Sequence, residues 1–248
     1  LFFLLLLGST WLYWSGLQSI FILDDETNLE PLTNIIDADT VTGISQFVTE
    51  GVASQLGRPL SLLTFALQFH SWPLNVWDFK YVNLMIHLLN GCLVFWFILL
   101  LCRFLALSPA RSLLLALLTA TVWLLHPLQV STVLYVIQRM TLLSASFTLL
   151  GLIAYLQGRH YLSQTQLLKG FLWVSLGIGL GGILATLSKE NGVLLVLYVL
   201  VLEATLLRSL LKPPYWRAWL TLFIYTPLAL LCIYFASHFG HFLQTYEM

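Results

Sequence analysis

An all-α, polytopic membrane helix bundle is the fold class this chain predicts, and three observations predict it. Of its 248 residues, 59% are hydrophobic, only 9% are charged, and the apolar residues gather in runs of bilayer-crossing length. Mean hydropathy is +0.88. A soluble domain carries about 25% charged residues, because it needs a solvated surface. Eleven basic and eleven acidic side chains cannot cover a globule of this size. Lipid must therefore replace water around most of it. A formal net charge of zero leaves no electrostatic footprint for nucleic acid.

Seven apolar segments approach the ~20 residues that a hydrocarbon core requires. They run over 2–22, 80–101, 112–126, 140–157, 170–187, 191–207 and 218–236. The shorter ones would extend into neighbouring residues or tilt. The first lacks the basic start of a signal peptide and stays apolar through Ile22, so it reads as a span. The resulting organisation is one transmembrane domain over 1–248: a first span (1–22), an extracytoplasmic loop (23–79) and the remaining spans (80–236). Leu1 and Met248 read as fragment boundaries. Within the fifth segment, Gly177 and Gly181 make a small-xxx-small packing face rather than a nucleotide loop, since no strand precedes them. Cys92, Cys102 and Cys232 stand singly in or beside apolar runs and read as packing residues.

Charge sets the expected topology. Arg103, Arg111, Arg159, Lys169, Arg208, Lys212 and Arg217 fall in connections on one side, against Arg58, Lys80, Arg139 and Lys189 on the other. The richer side is expected to be cytoplasmic. The 23–79 loop then lies outside and holds Asp24, Asp25, Glu26, Glu30, Asp37, Asp39, Glu50 and Asp78. Inside that loop, Leu56 to His70 reads as an amphipathic helix on the membrane surface, with Pro59 in its first turn.

Chemistry concentrates where spans leave the membrane on the loop side. Asp24 and Asp25 follow the first span directly, and partial desolvation beside a second negative charge would raise a carboxylate towards general-base range. The competing reading is that they merely end a helix. His126-Pro127 and Gln138-Arg139 form a second group. A short interfacial helix from Gln129 to Ile137 would put Thr132, Tyr135 and Arg139 on one face and Val130, Val133, Leu134 and Ile137 on the other. Arg139 would stand at the mouth of the fourth span, where a planar fork suits a phosphate, although an isolated arginine there often simply snorkels. Ser188-Lys189-Glu190-Asn191 joins two spans with almost no loop. Charges beside a bilayer are costly unless paired or functional, and Lys189 offers a second cation. Arg58 and His70, on the surface helix, are candidates for the same cavity. His238 and His241 have no third ligand and read as interfacial.

The order of these motifs carries a resemblance. The acidic pair is followed by Gly57-Arg58-Pro59-Leu60-Ser61-Leu62-Leu63-Thr64-Phe65, then by Tyr81-Val82-Asn83-Leu84-Met85-Ile86-His87-Leu88-Leu89-Asn90. His126-Pro127-Leu128-Gln129, Gln138-Arg139-Met140-Thr141-Leu142-Leu143-Ser144-Ala145 and Lys189-Glu190-Asn191-Gly192 complete the series. Over most of 15–207 it resembles the membrane region of the transmembrane-and-tetratricopeptide-repeat glycosyltransferases and their bacterial relatives, in the GT-C superfamily. Eukaryotic members carry Glu where Gln129 or Ser131 stands, and Gly-Arg-Ala-Asp near Gln138-Arg139, so this chain sits nearer the bacterial branch.

The resemblance implies an enzyme that takes a sugar from a polyprenyl-phosphate carrier and gives it to a protein or glycan hydroxyl, in a bacterial inner membrane with its site facing the periplasm. Asp24 or Asp25 would be the catalytic carboxylate, deprotonating the acceptor or holding a divalent cation. Arg139 and Lys189 would stabilise the departing phosphate, with Arg58, His126, Gln138 and Glu190 as secondary contacts. The family's repeats would follow Met248. Two other readings compete: a transporter or lipid-linked-sugar flippase, and an assembly subunit without chemistry. A transporter is expected to carry midplane polar residues in broken, symmetry-related spans, whereas here the charges gather at one face.

Overall fold

The computed structural model describes residues 1–37, 40–51, 57–210 and 212–246, with the side chains of 36, 37, 235 and 238–246 left aside. Asp39, Leu56 and the His238 and His241 side chains, all singled out above, lie outside the described residues. What is described is almost entirely helical, without a strand. The helices are α1 (Phe2–Trp14), α2 (Asp25–Leu29), α3 (Thr33–Asp37), α4 (Thr40–Glu50), α5 (Pro59–Ala66), α6 (Val76–Phe104) and α7 (Pro109–Leu125). They continue as α8 (Gln129–Leu134), α9 (Arg139–Ser163), α10 (Leu167–Ser188), α11 (Leu195–Ala204), α12 (Trp216–Leu220) and α13 (Thr226–Tyr246).

Four stretches are long and apolar enough to cross a membrane, as an integral membrane protein requires: Val76–Phe104, Val136–Ser163, Leu167–Ser188 and Trp216–Tyr234. Their outward faces are hydrocarbon. Leu168, Leu172, Leu180 and Ile183 of α10 are exposed, and so, on the shorter apolar helix α7, are Leu114, Leu118 and Val122. Those side chains would be a liability in water, where exposed apolar patches are normally small. The other three expected crossings form shorter helices: 13 residues in α1, 17 in α7 and 10 in α11. In the first segment the helix stops at Trp14, a 3-10 turn spans Ser15–Gln18, and the backbone turns extended at Ser19. Apolar composition continues to Ile22, but helix does not.

The bundle centres on α9 and α10, which approach at glycines. A Cβ on Gly177 would lie 2.6 Å from the Gly151 carbonyl oxygen, and one on Gly181 2.9 Å from the Gly151 Cα. Small residues that let two backbones meet are how membrane helices gain dispersion contacts, so the expected packing face is present, with Gly151 as its partner. Packed around this pair, α6 and α11 enclose a core that includes Leu93, Leu152, Tyr155, Leu156, Val174 and Val199.

The 23–79 segment, expected as a loop, instead folds into a helical lobe. Leu29, Leu32, Ile35, Phe47, Leu62, Phe65 and Trp72 bury together and pack on Phe79, Val136 and Met140. Within it α5, expected over 56–70, is shorter, starting at Pro59 and ending at Ala66. Leu62, Phe65 and Ala66 face the lobe, and the Ser61 hydroxyl donates to the Ser188 carbonyl at 2.9 Å, so the lobe is anchored to the end of α10.

Candidate functional site

The organising feature is a break at Tyr135. A continuous helix from Gln129 to Ile137 was expected, but α8 ends at Leu134 and Tyr135 is extended (φ −93°, ψ 113°). A 3-10 turn, Val136–Gln138, then leads into α9. Breaking a helix frees backbone groups, and buried ones must find partners. Two side chains supply them. Asn83 of α6 sets its amide nitrogen 3.1–3.3 Å from the carbonyls of Val133, Tyr135 and Val136. Asp25 accepts the Ile137 N–H at 2.8 Å through Oδ1 and the Ile22 N–H at 3.0 Å through Oδ2. The break also undoes the expected face: Tyr135 turns towards Asp24, and Arg139 turns inward.

The expected carboxylate pair is thereby divided. Asp25 is fully buried, with both oxygens engaged by backbone donors. Burial pushes its carboxyl above the usual range, an effect that backbone hydrogen bonds and the Lys80 charge oppose. Lys80 is itself buried and donates to Ser19 Oγ and the Ile20 carbonyl, so the extended chain after α1 is held from both sides. Asp24, in contrast, is exposed. Its backbone N–H donates to Tyr135 Oη at 3.0 Å. Burial raises the Tyr135 pKa most, the bond from the Asp24 N–H opposes it, and the Asp24 and Asp25 charges add to the rise, which keeps the phenol protonated. Of the two acids, Asp24 alone presents a carboxylate to an incoming group.

The cations divide the same way. Arg139 was expected at a membrane mouth, gripping phosphate, but its relative exposure is 0%. Nε donates to Asn83 Oδ1 at 2.9 Å, Nη1 to the Thr64 carbonyl at 3.1 Å and Nη2 to the Phe79 carbonyl at 2.9 Å. Its guanidinium also stacks 4.4 Å from the Phe65 ring centroid. Arg139 is thus spent on joining lobe to bundle. Lys189 is half-buried, and its Nζ donates to Thr141 Oγ1 at 2.7 Å. Burial and then neighbouring Arg58 lower its pKa, with Glu190 pulling it partly back.

The remaining expected residues fall around this corner. Thr141 donates onward to Gln138 Oε1 at 2.6 Å. Arg58 pairs with Glu190 at 2.9 Å and reaches Met140 Sδ. It does so with a left-handed backbone (φ 46°, ψ 50°), a conformation that costs a non-glycine residue about 1–2 kcal/mol, and the ion pair helps to offset that. His126 stays apart from the corner, its Nδ1 accepting the Leu128 N–H within its own turn. His70 is exposed, its ring tilted 34° against that of its neighbour Phe69. Segment Tyr135–Thr141 therefore touches Asp24, Asp25, Arg58 and Lys189, contains Gln138 and Arg139, and gains Glu190 through Arg58. Among the described residues, no three His, Cys, Asp or Glu side chains cluster as a metal site.

Beside Lys189 opens a groove of about 470 Å³ between α6, α7, α9 and α11. Thr141, Ser144 and Asn191 form its polar end, with Ser144 Oγ donating to Asn191 Oδ1 at 3.1 Å. Its walls are apolar, Phe97, Leu149 and Leu202 among them. Trp123, also in the wall, keeps a buried indole N–H without a partner among the described residues. Tyr135, Thr141 and Asn83 were not assigned roles from sequence. Asn83 had a legible signal: with His87 and Asn90 it forms a polar i, i+4, i+7 stripe inside an apolar helix, and such residues face the bundle interior. Comparison with protein-family models, curated proteins and solved structures gives no match to this chain.

Proposed function

We propose that the chain is a membrane glycosyltransferase of GT-C type, moving a sugar from a polyprenyl-phosphate carrier to a protein or glycan hydroxyl on the extracytoplasmic face. One observation carries the reading. An exposed carboxylate, Asp24, and a half-buried ammonium, Lys189, hang from the two ends of one short segment, and an apolar groove opens beside the ammonium. Thr141 stands six positions after Tyr135. At about 1.5–2 Å of rise per residue, the two groups' anchors lie about 9–12 Å apart along the segment.

In this reading Asp24 takes the proton of the acceptor hydroxyl, whose oxygen attacks the anomeric carbon. The bond from that carbon to the phosphate oxygen breaks, and the phosphate leaves with both electrons. Lys189 offsets the charge that gathers on the leaving oxygen, an electrostatic term worth about 2.7–4 kcal/mol per well-placed donor. Tyr135 orients Asp24, and Thr141 orients Lys189. The groove, within the ~300–1,000 Å³ of ordinary ligand sites, takes the prenyl chain.

The same reading makes seven crossings. With its 3-10 turn α1 spans about 28 Å, α7 about 26 Å, and the helical run 190–204 about 25 Å. Those lengths need only slight thinning of a core about 30 Å thick. Leu63 on α5 and Leu67 at its C-terminal cap, both exposed, suit a helix resting on the membrane surface outside the cytoplasm, in a bacterial inner membrane the periplasm.

The test is transfer from a defined polyprenyl-phosphate sugar by reconstituted protein. Asp24→Asn should lower turnover about 100-fold or more, the range of general-base loss, and Lys189→Gln about 100-fold. Glu26→Gln, at an exposed neighbour, should leave turnover unchanged. Full transfer by the Asp24 variant ends the proposal.

A further inference from the structure

The opposite end of the bundle carries a second cavity, about 280 Å³, where the ends of α6 and α9 diverge. Arg103, Gln157, His160 and Ser163 supply its polar wall, and Leu156 and Leu210 belong to its apolar one. Arg103 Nη2 meets His160 Nε2 at 3.3 Å. Gln164 Nε2 approaches the same nitrogen at 3.1 Å. With two donors on Nε2, the ring's proton belongs on Nδ1, so the cavity rim offers guanidinium, imidazole and amide donors together, while the Ser163 hydroxyl donates to the His160 carbonyl at 2.7 Å.

Acid is scarce at this end. Arg103, Arg111, Lys169, Arg208, Lys212 and Arg217 are all exposed and form no ion pair among the described residues. The carboxylate available there, Glu203, is held by Arg159 at 2.7 Å and by the Tyr155 hydroxyl at 2.8 Å. A hollow with donors on one wall, hydrocarbon on the other and uncompensated positive charge around it suits an amphiphile with an anionic head. Basic pockets between membrane helices are recurrent headgroup sites. The carbonyl ends of α6 and α9 oppose an anion here, and Arg103 in the last turn of α6 offsets them.

We propose that this cavity binds the phosphate headgroup of an anionic membrane phospholipid, distinct from the site around Tyr135–Thr141. The proposal rests on the membrane character of the chain and not on the transferase reading, so either can fail without the other.

The experiment titrates delipidated full-length chain with phosphatidylglycerol or phosphatidylcholine and reads bound lipid by native mass spectrometry. Phosphatidylglycerol should bind about fivefold or more tightly, the effect of about one cation near a headgroup. Arg103→Gln should remove that preference, and so should Ser163→Asp, which sets a carboxylate at the rim of the cavity on an exposed residue. Arg111→Gln, on the same face but outside the cavity, should keep most of it. Glycerol 3-phosphate should fail to compete at equal concentration. Equal binding of both lipids overturns the proposal. So does equal loss in the Arg103 and Arg111 variants, which would mean diffuse surface charge, and so does competition by the free phosphate ester. If Arg103→Gln does not fold, the Ser163 variant decides.

Discussion

Asp24 and Asp25 are neighbours in sequence, and their substitution should separate stability from activity. Asp25→Ala strips acceptors from the Ile137 and Ile22 N–H groups, held at 2.8 and 3.0 Å in a fully buried setting. Each hydrogen bond to a charged group contributes about 1.5–3 kcal/mol, so two amount to about 3–6 kcal/mol. Burying the carboxylate costs part of that back, as its raised pKa indicates, and a net loss of about 2–4 kcal/mol is expected. For a chain of this length each kcal/mol lowers Tm by about 2–4 °C. Thermal unfolding in detergent should therefore show a fall of about 4–16 °C for Asp25→Ala. Asp24→Asn, at an exposed side chain, should stay within ~0.5 kcal/mol of the parent while losing transfer. An Asp25→Ala protein that melts with the parent yet is inactive would refute the division of labour, because the buried acid would then act rather than hold.

Four further outcomes follow from the same geometry. Gly177→Leu should cost about 3 kcal/mol or more, since its Cβ meets backbone at 2.6 Å, whereas Gly179→Ala, whose Cβ finds Phe223 at 3.6 Å, should be tolerated; both are read as detergent melting. Asn83→Ala should lower stability by about 3–5 kcal/mol, and Asn83→Asp should not rescue it, because a carboxylate would face the carbonyls of Val133, Tyr135 and Val136. Glu203→Gln should cost about 3 kcal/mol by leaving Arg159 buried without its counter-charge, and replacing both by methionine should cost less, measured as a double-mutant cycle. The Lys189 pKa lies below 10.5, so its charge is lost as pH rises through that lowered value. Transfer should decline on the alkaline side before 10.5, and Lys189→Arg should shift that limb upward.

Much of the architecture was legible from composition and period, because lipid allows few backbone solutions. Apolar runs located the four long helices, and the glycine spacing in 177–181 marked a packing face on α10 without revealing that Gly151 of α9 meets it. Element ends were less legible. Ile20, Ile22 and Leu23 are apolar, yet the chain there is non-helical, held by Lys80 and Asp25, which hydropathy cannot register. The corner at Tyr135 was hidden for a related reason. Nothing local in Gln129–Ile137 breaks a helix; the break persists because Asn83, about fifty residues earlier in sequence, and Asp25, over a hundred earlier, satisfy the groups it exposes. Arg139 was misplaced along with it, since its face was inferred from an unbroken helix. Lys189 needed no such inference: it sits at a tight junction, and its neighbours in space come from the start of α9.

The charged residues can be sorted by what surrounds each one, and the sorting argues for where chemistry resides. Asp25, Lys80, Arg139 and Arg159 are all nearly fully buried, and each is surrounded by protein partners that satisfy it. A buried charge with its hydrogen bonds filled cannot turn to a substrate without first losing them, at several kcal/mol. Asp24 and Lys189 keep solvent access, and each is steadied by a neutral hydroxyl rather than by an opposite charge, Tyr135 holding the Asp24 backbone N–H and Thr141 the Lys189 ammonium. A hydroxyl orients a charged group without neutralising it, which leaves the charge free for a reacting atom. Arg58 and Glu190 are intermediate: half-exposed, yet paired with each other, they brace the lobe against the α10 junction. Opening that pair should loosen the position of Lys189 more than its charge. Glu190→Gln is therefore expected to lower turnover while the alkaline limb, set by Lys189 itself, moves only slightly downward; a limb displaced as far as Lys189→Arg displaces it would refute the assignment of that limb to Lys189.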